Sequence, residues 1–363
     1  RGRLRFIITG AVLAAAGWGI SAGVPNLIQS ITVKPMEPTK EAQRIEHHIA
    51  GTRFAFQLQE VDERRLEGSS ELTMKDIENN KGTIQNVRLW DHSPLLATFS
   101  QVQEIRTYYS FNSVDNDRYM IDGQLRQIML SPRELITDGL EAGARTWVNE
   151  TMTYTHGYGM ALGPFNEKTK QGLPVLFVED LPPKIKHPDA LRIDNAALYY
   201  GETMDTEVFV ATQNKEFDYP SRDGDMYSQY DGKGGVGVQG LFTRLLLALR
   251  MGTPNVVLTG DFTEKSKVLL YRNILERARQ VAPFLLLDRD PYLVIADGKL
   301  VWMIDAYTTT DRFPYSQALQ HLGNYMRNSV KITIDAYDGT MTFYRMDSPD
   351  PIIDAWANIF PDL

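Results

Sequence analysis

Tyr292-Leu293-Val294-Ile295-Ala296-Asp297-Gly298-Lys299-Leu300-Val301-Trp302-Met303-Ile304-Asp305-Ala306-Tyr307 places two apolar runs, rich in β-branched and aromatic residues, on either side of an Asp-Gly pair. Glycine accepts the positive φ of a tight turn matched to strand twist, so the stretch predicts a β-hairpin. It extends from Asp288-Arg289-Asp290-Pro291 to Thr308-Thr309-Thr310-Asp311-Arg312. The same grammar recurs downstream, where Val330 to Tyr337 turns at Asp338-Gly339 into Thr340 to Tyr344. With a helix predicted from Tyr315 to Asn328, the C-terminal part reads as hairpin, helix, hairpin, giving a four-stranded antiparallel unit. Ile-Asp-Ala-Tyr occurs at 304–307 and at 334–337, in the second strand of one hairpin and the first of the other. This placement does not make a repeat.

Upstream, Thr39 to Ala50 suggests a short amphipathic stalk helix leading into Thr52-Arg53-Phe54-Ala55-Phe56. The polar stretch from Asp62 to Gly82 reads as surface loop and weak helix, and Asn86 to Asp91 as a strand. His92-Ser93-Pro94 opens a helix from about Leu95 to Tyr109, with Leu96, Phe99, Val102 and Ile105 on one face. Arg118 to Leu125 and Gln127 to Leu130 predict a second hairpin at Asp122-Gly123. Ser131-Pro132 then predicts a helix through about Thr151. Strands follow at Pro174–Val178, Ala197–Tyr200 and Glu207–Ala211, and a polar loop occupies Lys215 to Gly240. After it come an apolar helix over Leu241–Met251, a buried strand at Val256–Leu258 and a helix from Thr263 through Ala278. The fold class is therefore α+β. Its regions are a cytoplasmic flank and transmembrane helix (1–33), a stalk (34–61) and two α+β regions (62–214 and 215–363).

The N-terminal region supplies the clearest location signal. No charged side chain occurs from Phe6 to Val33, and Phe6 to Val24 is apolar or small. About 20 such residues cross a hydrocarbon layer of about 30 Å, so a transmembrane helix is predicted. Arg1, Arg3 and Arg5 precede it, which places that flank in the cytoplasm and the large remainder on the extracytoplasmic side. A signal peptide with small residues near Ser21-Ala22-Gly23 is the alternative. Pro25, Asn26 and Gln29 mark the exit toward water. Gly10, Ala11, Ala14, Ala15, Ala16 and Gly17 are small, and Gly19 and Gly23 form a Gly-x-x-x-Gly pair that permits close helix approach. The expected partners are other membrane helices or membrane proteins, through Gly19 and Gly23, together with the lipid bilayer.

The 363 residues carry a net charge of -8, 43% hydrophobic and 23% charged residues, which fits a folded chain with room for more than one core. The acidic balance excludes general nucleic-acid binding, which needs clustered cationic surface. With Cys 0, disulfides, thiolate nucleophiles and cysteine-held metals are excluded.

Several constellations invite chemistry. Gly232-Lys233-Gly234-Gly235-Val236-Gly237 fits Gly-x-Gly-x-x-Gly, but a polar segment stands where a dinucleotide fold needs a buried strand. An anion at the following helix, held by local amides with Lys233 or Arg222, is the weaker demand. Asp218, Asp223, Asp225 and Asp231 offer oxygen ligands for a hard cation, although the twelve-residue calcium loop is missing. Asp288, Asp290, Asp305 and Asp311 resemble paired hydrolase carboxylates and equally suit turns and ion pairs with Arg289 and Arg312. His156 lies in Thr155-His156-Gly157-Tyr158-Gly159 with no acid or nucleophile fixed beside it, and His47 and His48 are adjacent, without the i, i+4 spacing of a metal pair. No Gly-x-Ser-x-Gly elbow or His-Glu-x-x-His helix occurs. No catalytic residue and no cofactor is assigned, and metal binding by the Asp218 to Asp231 loop stays open.

Asn86-Val87-Arg88-Leu89-Trp90-Asp91, Thr155 to Gly159, Lys215-Glu216-Phe217-Asp218-Tyr219-Pro220, Tyr271-Arg272-Asn273-Ile274, Ala282-Pro283-Phe284-Leu285, Asp290 to Val294, Asp305 to Thr309 and Asn324 to Lys331 stand in one order. In this the chain resembles the UPF0182 family of bacterial integral membrane proteins, from about Thr52 to Phe360. The resemblance implies a bundle of membrane helices followed by a large extracytoplasmic domain, with the segment from Phe6 matching the last helix. It implies no site residues. A chain holding one such helix and no initiating Met would be a fragment, a split polypeptide or a truncated member. The function read from these features is a membrane-anchored, non-enzymatic accessory or assembly subunit. Two alternatives stand beside it: an envelope hydrolase acting on glycan or lipid, and a solute- or cation-binding module.

Overall fold

The computed structural model describes residues 2–65, 68, 71–346 and 349–361. Arg1 of the basic flank and residues 66, 67, 69 and 70 of the polar stretch lie outside the described residues. The fold is mixed α+β, with a long apolar N-terminal helix and several antiparallel sheets. It divides into two compact units, residues 1–64 with 309–327, and residues 65–308 with 328–363.

In the first unit an α-helix runs over Gly2–Ile28 and passes straight through Pro25. A π-helical turn at Gln29–Val33, a short 3-10 turn and a further helical turn carry the chain to Lys40. The stalk helix occupies Ala42–Ala55. It is held by the segment that the sequence predicted to be a second helix, 315–328. That segment is a loop leading into a strand, because Tyr315, His321 and Gly323 take φ of 61°, 69° and 77°, outside the right-handed helical region. The Asn324 side chain bonds both Phe313 N (2.9 Å) and Phe313 O (2.8 Å), closing the loop on itself. His48 Nδ1 meets Tyr315 O at 2.7 Å, Gln317 N donates to Thr52 Oγ1 at 2.9 Å, and Arg327 donates to the carbonyls of Phe54 and Ala55.

The second unit is built on the hairpin read first. Tyr292–Ala296 pairs antiparallel with Lys299–Thr310, Ala296 facing Lys299. Asp297 and Gly298 both take positive φ, 51° and 79°, as a two-residue turn of matching twist requires. Along Lys299–Thr310 every second residue points inward, so Leu300, Trp302, Ile304, Ala306 and Thr308 are buried. The sheet has five strands, not four, since Leu286–Leu287 also pairs with this strand. The downstream strands are Tyr325–Asp335 and Met341–Arg345. Their connection is longer than a two-residue turn because Ala336 is drawn away: its N–H bonds Leu300 O (2.9 Å) and its carbonyl accepts from Tyr199 N (2.8 Å).

A second five-stranded sheet orders Asp115–Ile121, Gln124–Pro132, Met160–Pro164, Val178–Glu179 and Lys184–Ile185, all antiparallel. Here the start of the predicted helix after Ser131 is strand and turn instead, with helical turns at 147–153. Pro132 pairs with Met160, and the buried side chains of Arg133 and Glu134 find their partners inside the core instead of on a solvated helix face. Helix His92–Gln103 is capped by Asp91 and seals Leu95 and Phe99 over this sheet. The stretch before it, 87–91, forms no strand, because Leu89 N and Trp90 N both bond the single carbonyl of Phe165.

A three-stranded sheet joins Val208–Val210, Lys267–Leu269 and Val236–Gly237. The expected helix from Thr263 therefore begins later, at Ile274–Val281, where Asn273 accepts from Leu275 N and Glu276 N. Val256–Leu258 belongs to a short helix, Asn255–Leu258, not a buried strand. The polar loop from Lys215 contains a hairpin, Glu216–Ser221 against Gly224–Ser228, with a bulge at Asp218.

Trp302 is fully buried and donates from Nε1 to Tyr200 O at 2.9 Å. Trp302→Ala removes a large core side chain and leaves that carbonyl unpaired. We expect a loss of about 3–5 kcal/mol in chemical denaturation of the detergent-solubilised chain, far more than Leu125→Ala at an exposed strand position.

Candidate functional site

Arg272 is 3% exposed and is held by carbonyls from separate segments: Nε by Tyr199 (2.8 Å), Nη1 by Thr206 (3.0 Å) and Nη2 by Thr155 (2.5 Å). Burial pulls its pKa down to about 10, while buried Glu134 nearby works against that shift. Glu134 accepts Glu202 N (2.9 Å), Thr203 N (2.9 Å) and Thr203 Oγ1 (2.7 Å), and burial still lifts it above its ordinary value. Only glycine fits at 201, since a Cβ there would stand 2.6 Å from Glu134 Oε2.

Beside this pair the structure joins His156 to Asp218, two residues flagged separately in the sequence. His156 Nε2 lies 3.1 Å from Asp218 Oδ1, and Ser228 Oγ donates to the same oxygen at 2.6 Å. The other imidazole nitrogen faces Thr155 Oγ1 at 3.0 Å, and the ring stacks on Tyr199 with centroids 4.5 Å apart. An activated serine needs its hydroxyl on the imidazole. Here serine and histidine both address one carboxylate and His156 is fully buried, so the cluster fixes the hairpin to the core. Glu216 completes it, accepting from Tyr199 Oη (2.5 Å), Thr155 Oγ1 (3.2 Å), Ala211 N (3.0 Å) and Tyr230 N (3.1 Å). Burial, then the Glu216 charge, raises the Tyr199 hydroxyl well above its ordinary value.

The remaining loop carboxylates separate. Asp223 sits at the exposed hairpin turn, Asp225 on its outgoing strand, and Asp231 accepts from Tyr337 Oη at 2.6 Å. Among the described residues no group of three or more His, Asp or Glu is placed to hold a metal ion. In the glycine run, Val236–Gly237 is itself a strand, and Lys267 Nζ reaches Gly232 O (3.0 Å). Asp305 pairs with Lys331 (2.8 Å) and Asp288 accepts from Tyr307 Oη (3.2 Å), so these two are structural partners, while Asp311 is exposed beside its neighbour Arg312.

Of that set Asp290 lines a cavity, of about 480 Å³, with His92, Val114, Asp115, Asn116 and Tyr292. Asp115 accepts Leu293 N at 3.1 Å, and burial pushes it up to about 7. Glu202 accepts Ser113 Oγ at 2.9 Å and is raised to about 8 by burial, then by Glu134. Sequence reasoning missed Asp115, Glu134, Glu202 and Arg133. The one available signal was Arg133-Glu134 set between Ile128-Met129-Leu130-Ser131-Pro132 and Leu135-Ile136, a charged pair between largely apolar stretches.

The N-terminal helix is long and apolar enough to cross a membrane, and none of its apolar window is buried. A Cβ built on Gly19 or Gly23 would meet nothing within 4 Å, so the small-residue stripe is open. Trp18 and Phe6 stand out from the same helix, 77% and 81% exposed.

Comparison with known proteins places the chain in a family. The Uncharacterised protein family (UPF0182) matches residues 1–363. The chain belongs to the UPF0182 family. It is 44% identical over 339 residues to a UPF0182 protein of Pelotomaculum thermopropionicum, covering 93% of this chain and 37% of that protein. It is 46% identical over 353 residues to one of Geotalea uraniireducens (97% and 39%) and 43% identical over 365 residues to one of Geobacter sp. strain M21 (100% and 40%). The chain thus spans about two-fifths of the length of these UPF0182 relatives. No solved structure matches it.

The raised carboxyls carry a pH signature. Asp115 and Glu202 hold their protons in the fold to about pH 7 and 8, but lose them near 3.8 and 4.5 when unfolded. The folded state therefore binds more protons in that window, and stability falls as pH rises through it, by at most about 1.4 kcal/mol per pH unit for each carboxyl. Thermal melting from pH 4.5 to 8 should show this decline, and Asp115→Asn with Glu202→Gln should flatten it.

Proposed function

We propose that the chain acts as a membrane-anchored, non-enzymatic accessory or assembly subunit, its large domain on the extracytoplasmic side. The observation that carries this reading is the N-terminal helix, free of charge from Phe6 onward and unburied along its apolar length, with Gly19 and Gly23 open to close approach. Its partners are other membrane helices, on the same longer polypeptide or on separate proteins. The basic residues ahead of the apolar run support the assignment of side. For the hydrolase alternative, the buried His156 and the shared Asp218 contact give a reacting group no exposed base.

Gly19→Leu with Gly23→Leu fills the stripe without adding charge. Gentle extraction from membranes followed by native mass measurement should find the unaltered chain in a larger assembly. The double variant should weaken that association by roughly 5- to 30-fold. A lone monomer for the unaltered chain, indifferent to both leucines, would sink the proposal. Proteolysis of intact cells from outside should cut the domain if its side is assigned correctly.

A further inference from the structure

Of helix Leu241–Met251 Leu247 alone is buried, with Ala248 and Met251 half-buried against the same core. Leu241, Phe242, Leu245, Leu246 and Leu249 are 65%, 73%, 46%, 52% and 80% exposed. At 100° per residue they fill an arc of roughly 140° that contains no polar side chain, with Arg244 and Arg250 flanking it on either side. Gly252 ends the helix at φ +65°, and the chain turns through Pro254 into Asn255–Leu258, where Leu258 is 76% exposed. A shallow depression of about 500 Å³ between the helices is lined by Leu245, Ala248, Leu249, Pro254, Val257 and Leu258.

Charge follows the same geography. The chain carries net charge -8, yet no Asp or Glu occurs from Gly232 to Gly260, while Lys233, Arg244 and Arg250 do. Arg250 is held by Glu207 (2.9 Å) and Arg244 by Val238 O (2.8 Å), which sets both cations at the margin of the apolar face.

We propose that this face is a lipid-contact surface, seated in the interfacial layer of an anionic bilayer. A protein partner of this area would ask for hydrogen-bonding side chains, about one per 100–200 Å². The arc has none. A Leu/Phe face with no acid of its own, bordered by Arg244 and by Arg250 in its pair with Glu207, is what a lipid interface takes up. The inference rests on reading the N-terminal helix as a membrane anchor, which holds the domain at high local concentration beside a bilayer.

The absence of cysteine makes a direct test available. Leu249→Cys in the full chain is labelled with an environment-sensitive fluorophore and reconstituted into phosphatidylglycerol/phosphatidylethanolamine vesicles whose acyl chains carry bromine. Leu258→Cys serves as a second reporter, and Met120→Cys, 58% exposed on another strand, as the control. Bromine should quench the labels at 249 and 258 by about two-fold or more and leave that at 120 unchanged. If the chain floats with the vesicles but neither label is quenched, the lipid surface is refuted, whether emission is water-like or blue-shifted by a second protein molecule. If the chain fails to float, the anchor reading itself falls.

Discussion

A guanidinium with almost no access to water holds the second unit together. Arg272 reaches the carbonyls of Thr155, Tyr199 and Thr206 at once, so the 155 turn, the 199–206 segment and Arg272's own segment are tied through one side chain. Taking such a cation out of water is costly unless its hydrogen bonds are met and a countercharge stands near. Glu134 supplies that charge and is itself satisfied by the backbone of Glu202 and Thr203. The arrangement specifies more than it stabilises. A half-formed version would strand a charge in the core, so the strands around it have one workable arrangement.

The hairpins were legible because their signal is local. Asp297-Gly298 and Asp122-Gly123 each take the paired positive φ that an Asp-Gly turn allows, and alternation fixed which residues of Lys299–Thr310 face inward. What failed was read from spacing where a distant partner decided. Ser131-Pro132 looks like a helix start until Met160 pairs with Pro132. The 315–328 segment has helical composition, but Asn324 folds it back on Phe313. The polar cluster was half visible. Thr155-His156, Glu216-Phe217-Asp218 and Tyr271-Arg272-Asn273 stood out as blocks that carried the resemblance, and nothing local said that they meet. Spatial convergence of Thr155, His156, Glu216, Asp218 and Arg272 is a property of the sheets, not of any one stretch.

The polar side chains His156, Glu216, Asp218 and Arg272 are spent within the fold, whereas two apolar surfaces are left uncommitted. The open stripe at Gly19 and Gly23 and the leucine face at 241–258 belong to different units, and each lacks the cover that a helix of that composition ordinarily has. Both features direct attention to contacts outside this chain.

The pairing of Asp115 with the backbone of Leu293 has a consequence for how the protein is made. The two residues are separated by 178 positions, and Trp302 meets Tyr200 across 102. Contacts of such high order cannot form until the later partner has left the ribosome. At roughly 5–20 residues per second, Asp115 waits about 10–40 s for its hydrogen bond. During that interval the first sheet is present without the strand that closes it. A nascent chain of this topology therefore needs protection of its exposed apolar edges for as long as synthesis takes.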